Sequence, residues 1–536
     1  MTTTRRNVLK TGLAAGVVAA TATPPRARAQ AGPPASKTLC AVMSGDLRVF
    51  DPIWTTANIT AYHGALVYDM LFMVDAAFQA QPQMVGKWSL SDDKKLYTFE
   101  LRDGLGFHDG TAVTAADCVA SIRRWGTVDS GGQALMERVK DISKKDDKTF
   151  IISLKEPFGP LLNQLAKPIA RLCFIMREKD AAKPATEQVS ENIGSGPFLW
   201  NAAEAKPGAQ YVYDRNPKYV SRAEPSSGMA GAKIVKVERV IWENIGDQQT
   251  AMAALQSGEI DFYETPPTDL LGQLESDPNI KVDVFDKGGN IVIMRVNFLH
   301  KPFSELKARQ ALLYLVNQLD FMKATFGDAK YYGALDSIFG SNTPYVNDAN
   351  TDWFRHGVDL DRARQLFKDS GYSGENITVL QATNVAVMSN CEQLIAAQLR
   401  KIGCNVQLAP SDWGGVVTRR AVQTADDQGG WDIFVTWDSD YSHSDPIGLA
   451  TFQANGLQAW YGWPKSDEFE ALRGKWADAG TLDEQKALAK QMQQVAWDFV
   501  PTVLLGRFLQ PVAYRANTKG WIGMPEVIPF WNVEKT

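Results

Sequence analysis

Two stretches of this chain alternate strand, helix and strand patterns, and this alternation constrains the fold more than any other feature. In the first stretch, strand patterns over residues 235–242 and 260–263 flank a helix pattern over 248–256. In the second, strand patterns over 376–381 and 405–409 flank an amphipathic helix that ends before Gly403. Two strands joined through a helix form a β-α-β unit. Two separate units predict an α/β protein with two lobes.

The length of the chain also argues for more than one domain, because 536 residues exceed what one ordinary hydrophobic core holds. With 45% apolar and 22% charged residues, the composition is that of a soluble globular protein. Apolar segments punctuated by proline, near 296–302 and 501–511, bracket the second unit. We therefore expect the chain to leave the first lobe, build the second and return, which makes a hinge of two crossings.

The first thirty residues have the order of an export signal. The basic segment Arg5-Arg6-Asn7-Val8-Leu9-Lys10 precedes a short apolar run over 11–22 and the small-x-small sequence that ends at Ala29. This order predicts cleavage after Ala29, and the paired arginines resemble a twin-arginine signal. The apolar run is much shorter than the ~20 residues of a membrane span. Cys40 is not preceded by a lipobox, so we expect a free periplasmic protein.

Charge and cysteine content exclude some classes of function. Removing the five basic residues of the signal changes the formal charge from −5 to −5 − 5 = −10, so electrostatics give no support for nucleic-acid binding. Five cysteines leave at least one thiol unpaired in an oxidising compartment. Cys391 and Cys404 flank a helical stretch roughly 20 Å long, too long for a disulfide. We expect buried, unreactive thiols.

The loop that contains Gly104, Gly106, His108 and Asp109 looks like a nucleotide or catalytic motif but fits neither. A dinucleotide-binding loop requires a third glycine where this chain has Asp109. We expect a structural turn in which Asp109 binds nearby backbone amides, followed by a helix capped by Thr114 with Asp117. No metalloprotease, nucleophile-elbow or phosphate-loop motif is present elsewhere in the sequence.

An acidic stretch over residues 437–446 leaves several interpretations open. A calcium loop beginning at Asp438 would need glycine in place of His443 and glutamate in place of Leu449. His443 with nearby carboxylates could hold a transition metal, and a hydrolase could use Asp438, Asp440 and His443. A solvated loop is also possible. The stretch follows the apolar strand over 433–436, however, and open α/β sheets bind ligands at the carboxyl ends of their strands.

The residues over 99–117 resemble the most recognisable stretch of the family 5 extracellular solute-binding proteins, the dipeptide, oligopeptide and nickel group that serves ABC importers. Other segments resemble this family in the same order, over nearly all of the chain after the signal: Phe50-Asp51-Pro52, 194–198, 215–219, 254–261, 296–312 and Asp445-Pro446.

The resemblance implies an α/β clamshell of type II, with an extra subdomain in the first lobe. We expect a signal peptide over 1–29, lobe I over 30–300 including the extra subdomain, lobe II over 301–504, and a return to lobe I over 505–536. The resemblance implies a monomeric receptor, not an enzyme, that needs no cofactor. It would bind a peptide or related amino-bearing solute and deliver it to a membrane-embedded ABC permease with cytoplasmic ATPases.

The resemblance also implies four ligand-binding residues. In peptide-binding members, a tryptophan three residues ahead of an aspartate marks the pocket, and the aspartate pairs with the peptide ammonium; Trp437 and Asp440 have this spacing. A tryptophan with an arginine seven residues later also lines the pocket, as Trp413 and Arg420 would. Two departures reshape the site: the loop from Asp440 to Asp445 is two residues longer, and Arg420 lies farther from Trp437. A receptor for nickel or a metal chelate is the alternative.

Overall fold

The computed structural model describes residues 33–169 and 171–536, so the predicted signal and its cleavage site lie outside the described residues. The first lobe is built on a mixed sheet of seven strands. In spatial order these are Phe198–Trp200, Gln210–Arg215, Arg239–Glu243, Thr38–Val42, Phe262–Tyr263, Pro511–Arg515 and Ile280–Val284.

The second lobe is built on a mixed sheet of six strands. In spatial order these are Tyr332–Gly333, Thr502–Phe508, Asn290–Val296, Ile433–Ser439, Asn376–Ala382 and Asn405–Ser411. Both predicted β-α-β units are present. Strands 239–243 and 262–263 each run parallel to strand 38–42, and strands 376–382 and 405–411 run parallel to each other.

The sheet pairing moves the lobe boundaries away from the predicted ones. Strand Asn290–Val296 pairs on both sides with strands of the second lobe, although the predicted boundary put it in the first. The chain crosses between the lobes at 285–289 and again at 509–510. The apolar segment near 296–302 is therefore the end of a central strand and the turn after it. The first crossing is short and polar, and hydrophobicity does not reveal it.

A side subdomain of the first lobe contains a four-stranded antiparallel sheet, in the order Val85–Leu90, Leu96–Leu101, Thr149–Leu154 and Val139–Lys144. A buried ion pair fixes one of its helices to the first lobe. The Asp51 carboxylate accepts hydrogen bonds from Arg124 Nη2 at 2.8 Å and from the Val189 amide at 2.8 Å. Removing one partner of such a buried pair costs about 3–5 kcal/mol.

Fifteen α-helices complete the described part of the chain. They are Asn58–Val67, Ala115–Gly126, Ser130–Arg138, Leu161–Ala166, Glu178–Ala181, Gln248–Ser257, Leu271–Glu275, Leu306–Leu312, Gln318–Lys323, Asp352–His356, Leu360–Asp369, Ala386–Lys401, Trp413–Arg419, Asp467–Asp478 and Leu482–Phe499. Three further short strand pairs join 69–70 to 174–175, 72–74 to 80–82, and 518–519 to 534–535. No helix of the described residues is long and apolar enough to span a bilayer.

The loop around His108 and Asp109 has the structural role that we expected. His108 Nε2 lies 3.1 Å from the Gly196 carbonyl oxygen, and Asp109 accepts a hydrogen bond from the Thr111 amide at 3.0 Å. The helix that follows is capped as predicted, because the Thr114 amide donates to the Asp117 carboxylate at 2.7 Å. These bonds tie the loop to the fold.

The five cysteines form no disulfide, and all except Cys40 are buried. Burial raises the pKa of the Cys40 thiol to about 11 and that of Cys404 to about 12. Thiols with raised pKa values hold little thiolate at neutral pH and are poor nucleophiles. The predicted burial is confirmed for four of the five cysteines, while Cys40 is half-buried.

The two lobes touch each other on both sides of the space between them. On one side, Arg48 of the first lobe forms an ion pair with Asp412 of the second. On the other side, the side subdomain meets the second lobe: Ser130 Oγ donates to the Gly448 carbonyl at 2.6 Å, and Gln164 Nε2 donates to Asp445 at 2.7 Å. The lobes therefore enclose the space between them.

Candidate ligand site between the lobes

A cavity of about 260 Å³ lies between the lobes, where parallel strands of both sheets end. Ser44 and Glu264 follow the strands at 38–42 and 262–263 of the first lobe, while Asn384 and Trp413 follow the strands at 376–382 and 405–411 of the second. Carboxyl ends of parallel strands are the usual ligand positions in open α/β sheets. The volume is slightly below the roughly 300–1,000 Å³ typical of small-molecule sites. We call this space the first cavity.

A short helix presents two of the predicted residues to the first cavity. Helix Trp413–Arg419 begins at Asp412, whose side chain accepts a hydrogen bond from the Gly415 amide at 2.8 Å. Seven residues are close to two helical turns, so Trp413 and Arg420 lie on the same side. Both line the cavity, with the Arg420 guanidinium 5.3 Å from the Trp413 ring. The structure thus brings together at this cavity the two residues that the resemblance assigned to the ligand pocket.

Arg420 is a buried cation whose hydrogen-bonding capacity is only partly used. The residue is 2% exposed and is surrounded by the rings of Trp413, Phe434, Trp460 and Tyr461, at 4.7 to 5.7 Å. Nη2 donates to Thr56 Oγ1 of the first lobe at 3.3 Å, while Nε has no hydrogen-bond partner among the described residues. Burial lowers the pKa of Arg420 to about 10. A buried guanidinium with a free N–H is suited to bind an anion.

Trp437 and Asp438 line the first cavity at the end of strand Ile433–Ser439. The Trp437 ring packs edge-on against Phe508, with 5.6 Å between ring centroids, and offers an apolar wall. The Asp438 side chain is 18% exposed, and one of its oxygens accepts a hydrogen bond from Thr451 Oγ1 at 2.9 Å. Asp438 is therefore a carboxylate that a ligand in the cavity can reach.

Asp440, the predicted partner of a ligand ammonium, does not line this cavity. It is 1% exposed, and its carboxylate accepts hydrogen bonds from the Ser341 amide at 2.6 Å, from Ser341 Oγ at 2.8 Å and from the Asn342 amide at 3.1 Å. The backbone of Gly340 packs closely against Asp440: a Cβ added to Gly340 would lie only 2.1 Å from the Asp440 carbonyl oxygen. These bonds occupy the carboxylate with the loop over 340–342. Of these two aspartates, Asp438 lines the first cavity and Asp440 does not.

Four further carboxylates line the first cavity, namely Glu264, Asp269, Asp286 and Glu526. Glu264 accepts hydrogen bonds from Tyr62 Oη at 2.9 Å and from the Ser44 amide at 2.7 Å, and burial raises its pKa. Glu526, in the C-terminal part of the first lobe, accepts a hydrogen bond from the Ser439 amide of the second lobe at 3.0 Å. Asp286, in the first crossing, has one buried oxygen without a partner among the described residues.

Burial and mutual repulsion raise the pKa values of two of these groups. The pKa of Glu526 rises to about 7, mainly through burial and then through Asp438 and Asp286. The pKa of Asp286 rises to about 6, mainly through burial, with a contribution from Asp440. Carboxylates gathered in a partly enclosed space favour a positive partner, because an ammonium relieves their repulsion. The cavity thus combines several acidic groups with one guanidinium.

The residues of the hydrolase and metal interpretations are only partly assembled. His443 Nε2 lies 3.5 Å from Asp438, while His443 Nδ1 lies 2.6 Å from the Ile338 carbonyl oxygen. Asp440 faces the loop over 340–342 instead. Over residues 33–169 and 171–536, no group of three or more His, Cys, Asp or Glu side chains is placed to hold a metal ion.

Sequence reasoning did not identify Glu264, Asp286 or Glu526 as cavity residues. Glu264 could have been predicted from the sequence, because this residue directly follows the second strand of the first β-α-β unit, at the carboxyl end of that strand. Glu526 lies outside helices and strands with a φ of 64°, and no periodic pattern marks it.

Comparisons with known proteins agree with this architecture. Residues 79–458 match the model of the bacterial extracellular solute-binding proteins, family 5. The chain is 53% identical to a probable peptide ABC transporter periplasmic-binding protein of Sinorhizobium fredii, over the full length of both chains.

Solved structures show the same fold. A binding protein from A. tumefaciens R10 in complex with agropinic acid is 20% identical, with a TM-score of 0.78 over 93% of this chain and 99% of the other. A periplasmic binding protein of Helicobacter pylori in complex with a peptide is 22% identical, with a TM-score of 0.77 over 93% of this chain and 98% of the other. The chain belongs to the family 5 bacterial extracellular solute-binding proteins. It is a two-lobed α/β solute-binding protein, as the sequence predicted.

Proposed function

We propose that this protein is the periplasmic receptor of an ABC importer and captures a peptide or a related amino-bearing organic solute in the first cavity. The name of the relative at 53% identity, a probable peptide ABC transporter periplasmic-binding protein, supports the peptide class. In this role the receptor delivers its solute to a membrane permease driven by cytoplasmic ATPases. It acts as a monomer that has been exported through a twin-arginine signal and cleaved after Ala29.

The observation that carries the proposal is the presence of both charge signs in one enclosed cavity. Arg420 offers a buried guanidinium N–H to an anionic group, while Asp438, Glu526 and Asp286 offer oxygens to a cationic group. A zwitterion with an ammonium and a carboxylate matches this arrangement. Trp413 and Trp437 form flat apolar walls that accept side chains of different shape.

Ligand binding and lobe closure are coupled in this proposal. Glu526 comes from the first lobe and Asp438 from the second, so closure brings two carboxylates near each other. An ammonium between them favours the closed form, because it interacts with both lobes only when they are together. Closure then signals to the permease that the receptor is loaded.

Retained ligand is the most direct test. We expect mass spectrometry of solute released from the purified protein to identify a small molecule with a free amine. Calorimetric titration of refolded, ligand-free protein with dipeptides should then give saturable binding, and X-ray scattering should show a smaller radius of gyration at saturation. Saturable binding without any decrease in radius would contradict closure, and binding of metal chelates but of no amine would contradict the solute class.

Export is tested separately from binding. We expect the amino terminus of protein purified from the periplasm to begin at Gln30, and replacement of Arg5 and Arg6 by lysine to leave precursor in the cytoplasm. Unchanged export of the double variant would contradict the twin-arginine route, and a different terminus would contradict the cleavage site.

A further inference from the structure

We propose that His443 couples solute binding to the release of a proton. Before the solute binds, the protonated imidazole of His443 pairs with the Asp438 carboxylate; when the ammonium of the solute reaches Asp438, the imidazole gives its proton to water. The inference rests on the proposed function and adds a proton to its binding equilibrium. His443 does not line the first cavity, so it acts through Asp438 rather than by touching the solute.

The hydrogen position on one nitrogen of His443 follows from its contact. His443 lies in a one-turn helix over 442–444, is 2% exposed, and packs edge-on against the Phe452 ring at 5.4 Å. Its Nδ1 lies 2.6 Å from the Ile338 carbonyl oxygen. A carbonyl oxygen can only accept, so Nδ1 carries a hydrogen and donates it. The state of the other nitrogen then decides the charge of the ring.

The other nitrogen, Nε2, is buried and faces a carboxylate. It lies 3.5 Å from Asp438 Oδ2 and has no hydrogen-bond partner among residues 33–169 and 171–536. In a neutral ring, Nε2 would turn a lone pair toward that oxygen, and two buried acceptors repel each other. In an imidazolium, Nε2 carries a hydrogen and the two groups attract. The geometry therefore favours the imidazolium as long as no ammonium is bound at Asp438.

The two oxygens of Asp438 have different surroundings. Oδ2 accepts a hydrogen bond from Thr451 Oγ1 at 2.9 Å and is the oxygen near His443. Oδ1 accepts none from the described residues, and Asp438 lines the first cavity. A solute can therefore approach Oδ1 while Oδ2 keeps its contacts with the protein.

Two guanidinium groups act on the same carboxylate. Arg295, fully buried on strand 290–296, donates from Nη1 to the Thr451 carbonyl at 3.1 Å. Burial lowers the pKa of Arg295 to about 9, and the charge of Asp438 opposes part of this decrease. Asp438 opposes the decrease in the pKa of Arg420 in the same way. Both cations favour the ionised form of Asp438, so the exchangeable proton belongs to His443 rather than to the carboxyl group.

Negative charges near the pair favour the imidazolium. Glu526 of the first lobe interacts with Asp438, which contributes to the raised pKa of Glu526. Asp445 follows the one-turn helix of His443 and accepts a hydrogen bond from Gln164 Nε2 at 2.7 Å. His443 is thus surrounded by charges of both signs. An imidazole is the side chain that ordinarily gains or loses a proton between about pH 5 and 8.

Binding of an ammonium at Oδ1 of Asp438 changes this balance. Two cations then share one carboxylate, and the imidazolium loses its charge more readily than the ammonium does, by passing the Nε2 proton to water. The Nδ1 hydrogen stays on the ring, so the bond to the Ile338 carbonyl is kept. The protein holds more protons before binding than after it. The affinity for an amine therefore rises with pH, by at most about tenfold per pH unit for this one proton.

Calorimetry in pairs of buffers that differ in ionisation enthalpy measures the released proton. Glu526→Gln protein serves as the parent, because it lacks the carboxyl group whose pKa is about 7. Alanyl-alanine and leucyl-leucine are titrated at several pH values from about 5 to 8. We expect the parent to release at least about 0.5 proton per peptide more than the same protein with His443→Asn, at the pH of largest difference. The asparagine amide keeps a donor for the Ile338 carbonyl. Equal release by the two proteins would overturn the inference.

Nitrogen NMR of labelled histidine in the wild-type protein gives an independent measurement. The spectrum reports the protonation of each ring nitrogen, and the signals of His443 are those lost in His443→Asn. We expect His443 to titrate at least about one pH unit lower in protein saturated with either dipeptide than in ligand-free protein. His356, exposed at the end of helix Asp352–His356, should titrate at the same pH in both. An unchanged titration of His443, or a neutral ring with the hydrogen on Nε2, would contradict the proposed exchange.

Failure of the proposed function gives a different result. If folded, ligand-free wild-type protein binds neither dipeptide over this pH range, the peptide class itself is contradicted, and the inference falls with it. If the wild-type protein binds either dipeptide and His443 does not change its protonation, the proposed function survives and the inference is wrong.

Discussion

The first cavity adjoins a second one of about 840 Å³, whose lining includes Lys167, Asp440 and Asp445. Ile169, Phe285 and Asp286 line both cavities, but the charged groups that line only one of them are held differently. In the first, the buried Nε of Arg420 has no partner among the described residues, and the pKa of Glu526 is raised to about 7. In the second, Asp440, Asp445 and Lys167 are bound by groups of the protein. The difference teaches that the kind of residue does not identify a ligand-binding group. What matters is whether other groups of the protein already occupy its hydrogen-bonding atoms.

Removal of the Arg420 charge should have the largest effect on binding. Arg420→Met keeps most of the volume inside the aromatic cage and removes the guanidinium. If Arg420 binds a ligand carboxylate, we expect an affinity loss of roughly 100- to 1,000-fold for a dipeptide by calorimetry. Arg364→Ala, on an exposed helix of the second lobe, is a control that should leave affinity unchanged. A loss of less than threefold in a folded Arg420→Met protein would contradict the role of Arg420.

The two aspartates should respond differently to the same substitution. Asp438→Asn should weaken binding of an amine by roughly 10- to 100-fold, because it removes a charge that faces the first cavity. Asp440→Asn should change affinity less and should lower the free energy of unfolding by about 1–2 kcal/mol, since it weakens the bonds to the loop over 340–342. Calorimetry and chemical denaturation of both variants measure the two effects. The reverse ranking of affinities would restore Asp440 as the ammonium partner.

The affinity for an amine should rise with pH. Glu526 has a pKa of about 7 without ligand and faces Ser439, Asp438, Asp286 and Tyr62. A bound ammonium favours its charged form, so the affinity gain is present above pH 7 and is lost as the pH falls below it. We expect about a tenfold increase from pH 6 to pH 8.

Glu526→Gln tests the source of this pH dependence. The variant should bind with a flatter pH profile over the same range, in calorimetric titrations at constant ionic strength. A profile as steep as that of the wild-type protein would assign the titration to another group, such as Asp286, whose pKa is about 6.

Glu392 is a carboxyl group with a raised pKa that lies outside both cavities, so its ionisation should affect stability rather than ligand binding. Burial raises its pKa to about 8, one oxygen accepts a hydrogen bond from the Ala382 amide, and the other has no partner among the described residues. The folded state keeps the proton that the unfolded state loses above pH 4.5, so stability falls as the pH rises from 4.5 to about 8.

Glu392→Gln should therefore raise the free energy of unfolding by about 1–3 kcal/mol at pH 8 and have little effect at pH 4.5. Chemical denaturation at the two pH values measures the difference, and ligand affinity should not change. Equal effects at both pH values would show that packing, rather than ionisation, decides the stability of the variant.

The sequence predicted those features that depend on local spacing. The helix over 386–401 follows from the periodic spacing of Cys391, Ile395 and Leu399. Trp413 and Arg420 came from the family resemblance, and their spacing of about two helical turns explains why they lie close together. The orientation of Asp440 could not be predicted, because it depends on a loop about one hundred residues earlier in the chain. The lobe boundary was also wrong for a long-range reason, namely the pairing of strand 290–296.

The ion pair between Arg48 and Asp412 has a consequence for the lifetime of the loaded receptor. Asp412 caps the helix that carries Trp413, and the same side chain meets Arg48 across the edge of the cleft. When the lobes separate, Asp412 at the start of this helix loses its contact with Arg48, and the solute loses its contacts with one of the two lobes. In the proposed cycle of closure and release, salt screens this half-exposed pair, so we expect the release rate to rise modestly with ionic strength. How often a receptor reaches the membrane still loaded would depend on this rate as well as on affinity.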